Sequence, residues 1–125
     1  MFLELVRVSV RYPGGQHQRA AVEQVSLTLL TGQIGVLIGP SGCGKTSLLR
    51  AVAGLERLSA GRIAIKGAVL SEPLAGVHVT PEARQIGMVF QDYALFPHLS
   101  VAQNVAFGIH HLPRAERRDR TGEVL

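Results

Sequence analysis

Apolar and polar residues alternate from Val6 to Arg11, with Val6, Val8 and Val10 set against Arg7, Ser9 and Arg11. A period of two belongs to a strand with one buried face, so the run predicts a half-buried strand. The turn sequence Tyr12-Pro13-Gly14-Gly15 ends it. A second alternating run sets Val25, Leu27 and Leu29 against Ser26 and Thr28, and two such runs predict an antiparallel sheet over a core. Residues 34–38 (IGVLI) differ: they form a continuous apolar run bounded by Gly32 and Gly39, the pattern of a parallel strand buried on both faces. Leu48, Leu49, Val52, Ala53 and Leu55 then recur at helical spacing, and Gly54 stands where that helix should stop.

Residues 61–66 predict a short strand with Ile63 and Ile65 inward, and residues 67–81, rich in turn formers, predict a surface loop with a short strand piece. Residues 86–90 are a further apolar strand candidate that ends at Gln91-Asp92. Ser100 is placed to cap a helix carrying Val101, Val105 and Ile109. Pro113 opens a last, charged helix. On it Glu116 and Arg120 are separated by one helical turn, a pair worth a few tenths of a kcal/mol, about 0.3–0.5. The order of elements is that of an α/β chain, and 125 residues hold one domain but not two.

Charge changes this picture little. Lys and Arg number 13 against 9 Asp and Glu, with a pI near 10.0, which by itself suggests a polyanionic partner. The basic residues are scattered, however, and the one cluster, residues 114–120, is interleaved with Glu116 and Asp119. A solvated helix face accounts for it, and a nucleic-acid partner is not expected. Cys43 is the single cysteine, so no intrachain disulfide can form and a reducing compartment is expected. No apolar run reaches the roughly 18–20 residues of a membrane-spanning helix, and the opening MFLELVRVSV alternates with charge instead of forming a signal peptide. A soluble, cytoplasmic chain is expected.

The chemistry concentrates in one segment. Gly39-Pro40-Ser41-Gly42-Cys43-Gly44-Lys45-Thr46 places a glycine, four free positions and Gly-Lys-Thr between an apolar run and a helix, the arrangement of a phosphate-binding loop. Glycines let successive N–H groups curl around a phosphate chain. The helix beginning near Lys45 adds about half a positive charge aimed at the same anion. Lys45 would neutralise the β- and γ-phosphates, the Thr46 hydroxyl would complete a Mg²⁺ shared with them, and Ser47 offers a further hydroxyl. The expected ligands are ATP and Mg²⁺. In Cys43 the backbone, not the thiol, is expected to be used.

Beyond that loop, two long stretches resemble ATP-binding-cassette (ABC) importer ATPases: residues 48–67 (LLRAVAGLERLSAGRIAIKG) and residues 86–109 (IGMVFQDYALFPHLSVAQNVAFGI). The resemblance covers essentially the whole chain. It implies a P-loop NTPase core with an N-terminal antiparallel β subdomain, residues 1–92, and the start of a helical subdomain, residues 93–125. It implies that Tyr12, after the first strand, stacks on adenine. It also implies that Gln91 reaches the Mg²⁺ and the attacking water, so that Lys45 and Gln91 serve catalysis and Thr46 and Gln91 the metal. The implied partners are a second copy of the subunit, the permease subunits and, indirectly, a periplasmic solute-binding protein, at the cytoplasmic face of the inner membrane. Residues 91–108 most resemble ferric-iron importers, with polyamine, sulfate and sugar importers close behind.

The family's signature LSGGQ, its Walker B aspartate with the catalytic glutamate, and its switch histidine do not occur by Leu125, and His17, His78, His98, His110 and His111 match none of these motifs. The chain is therefore expected to be the N-terminal part of a longer subunit, without appreciable hydrolysis and of low stability on its own. The alternatives are a soluble ABC protein acting on nucleic acid or ribosomes, a GTPase or small-molecule kinase, and a self-contained nucleotide-binding module.

Overall fold

Strand β1 (Leu3–Arg11) pairs antiparallel with β2 (Ala20–Leu29) in a computed structural model that describes residues 1–14 and 20–125. Gly15 and His17, named above, lie outside the described residues. The alternation along β1 is interrupted where Arg7 adopts a left-handed conformation, φ 44°. One extra residue enters β1 between the pairs Leu5–Leu27 and Val8–Val25, and one enters β2 between Val8–Val25 and Val10–Val22, at Gln24 with φ 48°. These are complementary β-bulges, each of which shifts the in–out phase of its strand. Leu5, Val8 and Val10 are consequently buried while Val6 is only half-buried. The expected face of Val6, Val8 and Val10 is thus corrected at Val6, whose place Leu5 takes.

Two serines accept the N–H groups that the bulges release. The Arg7 amide donates to Ser26 Oγ at 2.8 Å and the Gln24 amide to Ser9 Oγ at 2.9 Å. Ser9, expected on the solvent face, is buried. Ser9→Ala is expected to cost about 1 kcal/mol of stability, the net worth of one hydrogen bond, visible as a lower urea midpoint at unchanged slope. Ser26→Ala, at an exposed position, should cost less.

Helix α1 (Lys45–Ala53) follows the glycine-rich loop and stops at Gly54, φ 85°, where the Leu55 amide closes back on the Arg50 carbonyl at 2.9 Å. Strands β3 (Ala60–Ile65), β4 (Ala68–Glu72) and β5 (Val77–His78) complete an antiparallel sheet of order β2-β1-β3-β4-β5. A short helix α2 (Pro81–Arg84) follows. Leu48 and Ala51 of α1 join Leu5, Val8, Val10, Val22, Leu58 and Ile63 in the core; a fully buried side chain such as Leu48 contributes about 1.5–3 kcal/mol. The segment expected as a surface loop with a short strand piece, residues 67–81, holds two strands, because the chain turns back after β3 through Lys66-Gly67 and β4 pairs with it.

Residues 34–38 do not form the expected buried strand. Ile34, Val36 and Ile38 are 91%, 74% and 91% exposed, and no strand among the described residues pairs with them. Residues 86–90 likewise carry no strand, and Val89 and Phe90 are exposed. A strand needs a paired neighbour to satisfy its backbone, and among the described residues every strand pairing is antiparallel and none takes in residues 34–38.

The chain divides into compact units Met1–Met88 and Val89–Leu125. In the second, Ser100 caps α3 (Val101–Ala106) as expected, in a capping box with Gln103. Asn104 fastens the preceding loop, accepting from the Phe96 amide and donating to the carbonyls of Phe96, Leu99 and Ser100. Helix α4 (Arg114–Val124) carries the Glu116–Arg120 pair at 3.0 Å. Among the described residues no helix is long and apolar enough to cross a membrane.

Candidate phosphate-loop site

The loop of residues 39–44 is seated by its last glycine. Gly44 has φ 97°, and a Cβ there would run into the carbonyl of Ala21 on β2. Only glycine combines that conformation with that approach, so the loop is pressed against the sheet immediately before α1 begins. The Cys43 amide closes a turn onto the Pro40 carbonyl at 3.3 Å. Gly39, Pro40, Ser41, Gly42 and Cys43 are all exposed.

Lys45 is the first residue of α1, and its ammonium folds back across the loop. It donates to the carbonyls of Gly39 and Pro40, both at 2.7 Å, and lies 3.4 Å from Cys43 Sγ. The first intrahelical bond runs from the Leu48 amide to the Gly44 carbonyl. No side chain caps the helix and no acidic residue stands in its first turn. The leading N–H groups therefore have no intrahelical partner, and the positive end of the helix dipole is uncompensated. A mobile cation, a helix N-terminus and a curled backbone converge on one exposed loop, which can bind an anion. Thr46 and Ser47 follow in the first turn of α1.

Tyr12, just beyond β1, reaches the same place: its hydroxyl is 2.9 Å from Ser47 Oγ. Tyr12 and residues 39–47 are thus brought together in the first unit. Gln91 is exposed in the second unit. Among the described residues no three His, Cys, Asp or Glu side chains gather as metal ligands. A hydroxyl next to a phosphate loop still suits Mg²⁺, which keeps waters and takes phosphate oxygens instead of a protein cage.

His78, half-buried on β5, has its pKa held below the ordinary 6.5 by burial and then by the charges of Arg57 and Arg84. The His98 ring meets Phe96 edge-on, and His110 Nδ1 lies 3.0 Å from the Phe107 carbonyl. Arg84 is the residue that sequence reasoning missed. It is 6% exposed, and burial lowers its pKa. Its guanidinium donates to the carbonyls of Val79 (2.8 Å), Ala51 (3.1 Å), Val52 (3.0 Å) and Leu70 (3.2 Å) and to Ser71 Oγ (2.6 Å). It thereby joins the end of α1 to β4 and to Val79, just before α2. Its partners are mostly main-chain carbonyls remote in sequence, so no motif announces it.

Residues 22–125 match the family model described as ABC transporter. The chain belongs to the ABC transporter family. Among its relatives, the putrescine transport ATP-binding protein PotG of Escherichia coli K12 is 48% identical over 125 residues, 98% of this chain and 30% of that protein. The Fe(3+) ions import ATP-binding protein FbpC of the same organism is 44% identical over 126 residues, 99% of this chain and 33% of that protein. The ABC fold is matched by a solved dimeric structure of the ATP-binding cassette MJ0796 in a post-hydrolysis state bound to ADP and Pi. That match has a TM-score of 0.80 and 27% identity, covering 97% of this chain and 54% of that one. The chain thus spans about a third of the curated relatives and about half of the solved cassette.

Proposed function

We propose that this ABC chain supplies the nucleotide-binding loop of the ATPase subunit of an importer. The observation that carries the reading is Lys45, whose ammonium spans the loop on two carbonyls beside the uncapped start of α1. Incoming β- and γ-phosphates would replace neutral oxygens with charged ones. The backbone of Gly39, Pro40, Ser41, Gly42, Cys43 and Gly44 would cradle the phosphates, Thr46 and Gln91 would hold Mg²⁺, and Tyr12 would carry the adenine. Bound Mg²⁺ would neutralise charge developing on the phosphates.

Residues 1–92 would form the β subdomain and loop core and residues 93–125 the start of the helical subdomain. The general base and the signature that completes a partner's site would come from parts of the subunit beyond the matched third. The apolar side chains left exposed at Ile34, Val36, Ile38 and Val89 support this, since parallel strands from the rest of a cassette would cover them. A second copy, permease subunits and a periplasmic solute-binding protein would be the partners, at the cytoplasmic face of the membrane. For the solute, residues 91–108 support ferric iron, and the putrescine-named relative supports a polyamine.

Calorimetric titration with Mg-ATP tests the reading, and absence of binding by the folded protein overturns it. Cys43 gives an independent check. Its thiol is exposed and lies in the loop, so saturating ATP should slow its alkylation about tenfold or more, bound nucleotide occluding it in all but a small fraction of molecules. Equal labelling with and without ATP would count against the site.

A further inference from the structure

Besides offering a hydroxyl to the phosphate loop, Ser47 has a partner in the Tyr12 hydroxyl. We infer that Ser47 is a positioning residue for the nucleobase, holding the Tyr12 ring in place through their hydroxyl–hydroxyl hydrogen bond. The inference rests on the phosphate-loop reading and deepens it. Tyr12 stands at the end of β1, where Pro13 and Gly14 turn the chain away, and 43% of its surface is exposed. A half-exposed aromatic at a strand end has two side-chain torsions to lose when a base settles on it.

Bonding of the phenol oxygen to Ser47 Oγ at 2.9 Å fixes the far end of the ring before any ligand arrives. The ordering cost is then met by the protein alone, which is preorganisation. Ser47 is also two residues from Lys45 on the first turn of α1. The same short segment therefore sets where the phosphates and the base platform stand relative to each other. The ring offers a π-face and no pattern of donors and acceptors, so the ligand class is a nucleoside triphosphate held by stacking, with little discrimination between purines.

The test compares Mg-ATP with magnesium tripolyphosphate, which has the phosphates and no base, by calorimetry on the wild-type protein, Ser47→Ala, Ser47→Thr, Tyr12→Phe and the Ser47→Ala/Tyr12→Phe double variant. Ser47→Ala should weaken ATP binding about three- to tenfold or more, the worth of at least one hydrogen bond, and because its hydroxyl also serves the phosphate loop the contrast between the two ligands is read in Tyr12→Phe. Tyr12→Phe, which keeps the ring and lies outside the loop, should lose about three- to tenfold for ATP and change tripolyphosphate binding less than about twofold. The double variant should be no weaker than Ser47→Ala alone, since the bond that Tyr12→Phe removes is already lost there. Ser47→Thr should restore wild-type affinity.

Equal losses for both ligands in Tyr12→Phe, a double variant weaker than Ser47→Ala, or no loss for ATP in Ser47→Ala would each overturn the inference. Lys45→Ala separates the two readings. It should weaken both ligands together, and unchanged tripolyphosphate binding in that variant, or no binding of either ligand by the wild-type protein, sinks the phosphate-loop reading and this inference with it.

Discussion

Replacing Lys45 with alanine is expected to lower affinity for Mg-ATP by roughly a hundredfold or more. The ammonium now donates to two neutral carbonyls, those of Gly39 and Pro40, and exchanges them for phosphate oxygens when nucleotide binds. Hydrogen bonds to a charged group contribute about 1.5–3 kcal/mol each. Anionic acceptors make such bonds about twice as strong as neutral ones, so an excess of about 1.5 kcal/mol on each of two bonds leaves about 3 kcal/mol, and each 1.4 kcal/mol is a factor of ten. Lys45→Arg should restore little, because the planar guanidinium cannot follow the compact path of an ammonium across the loop. Titration calorimetry at fixed ionic strength measures the change, and an affinity within threefold of wild type would remove Lys45 from the site. Stability should hardly move, since the bonds lost are exposed.

The loop was legible in the sequence because its geometry is local. A glycine that must lie against β2, a lysine at the start of a helix and a helix ending at Gly54 each leave their mark within a few residues. Ser100 and the Glu116–Arg120 pair were legible for the same reason. What escaped depends on residues distant in the chain. The alternation of β1 could not announce the bulge at Arg7, because its compensating bulge at Gln24 and the acceptor Ser26 lie on another strand.

Residues 34–38 show the reverse case. Their apolar run records a burial that the sheet of this chain does not provide, so periodicity was a correct guide to composition and a wrong one to the strand observed. Tyr12 was expected near the nucleotide from family resemblance. Its bond to Ser47, 35 residues away, follows only from the fold.

Arg84→Ala should destabilise the first unit by about 3–5 kcal/mol. One buried guanidinium satisfies four carbonyls and a hydroxyl drawn from α1, β4 and the chain before α2. The Ala51 and Leu70 carbonyls keep second partners in the amides of Gly54 and Val79. The Ser71 hydroxyl, which is buried, and the Val52 and Val79 carbonyls, which are partly buried, lose their donor; a buried polar group so stranded costs about 1–3 kcal/mol and a partly wetted one less. The cavity left by the side chain adds to that. Arg84→Lys should recover only part of the loss, since an ammonium cannot reach acceptors on three elements at once.

Gly54 belongs to the same unit of structure. It lies at φ 85° and its added Cβ would stand 2.5 Å from Arg84 Nε. Gly54→Ala should therefore destabilise by about 1–2 kcal/mol from the strained backbone and the displaced guanidinium. Because both changes break one contact, the double variant should lose less than the two single costs added together. Urea unfolding of the four proteins measures the cycle. A loss below about 1 kcal/mol for Arg84→Ala, against the large values expected only for broken buried networks, would mean that water satisfies those carbonyls and that Arg84 does not hold α1 to β4.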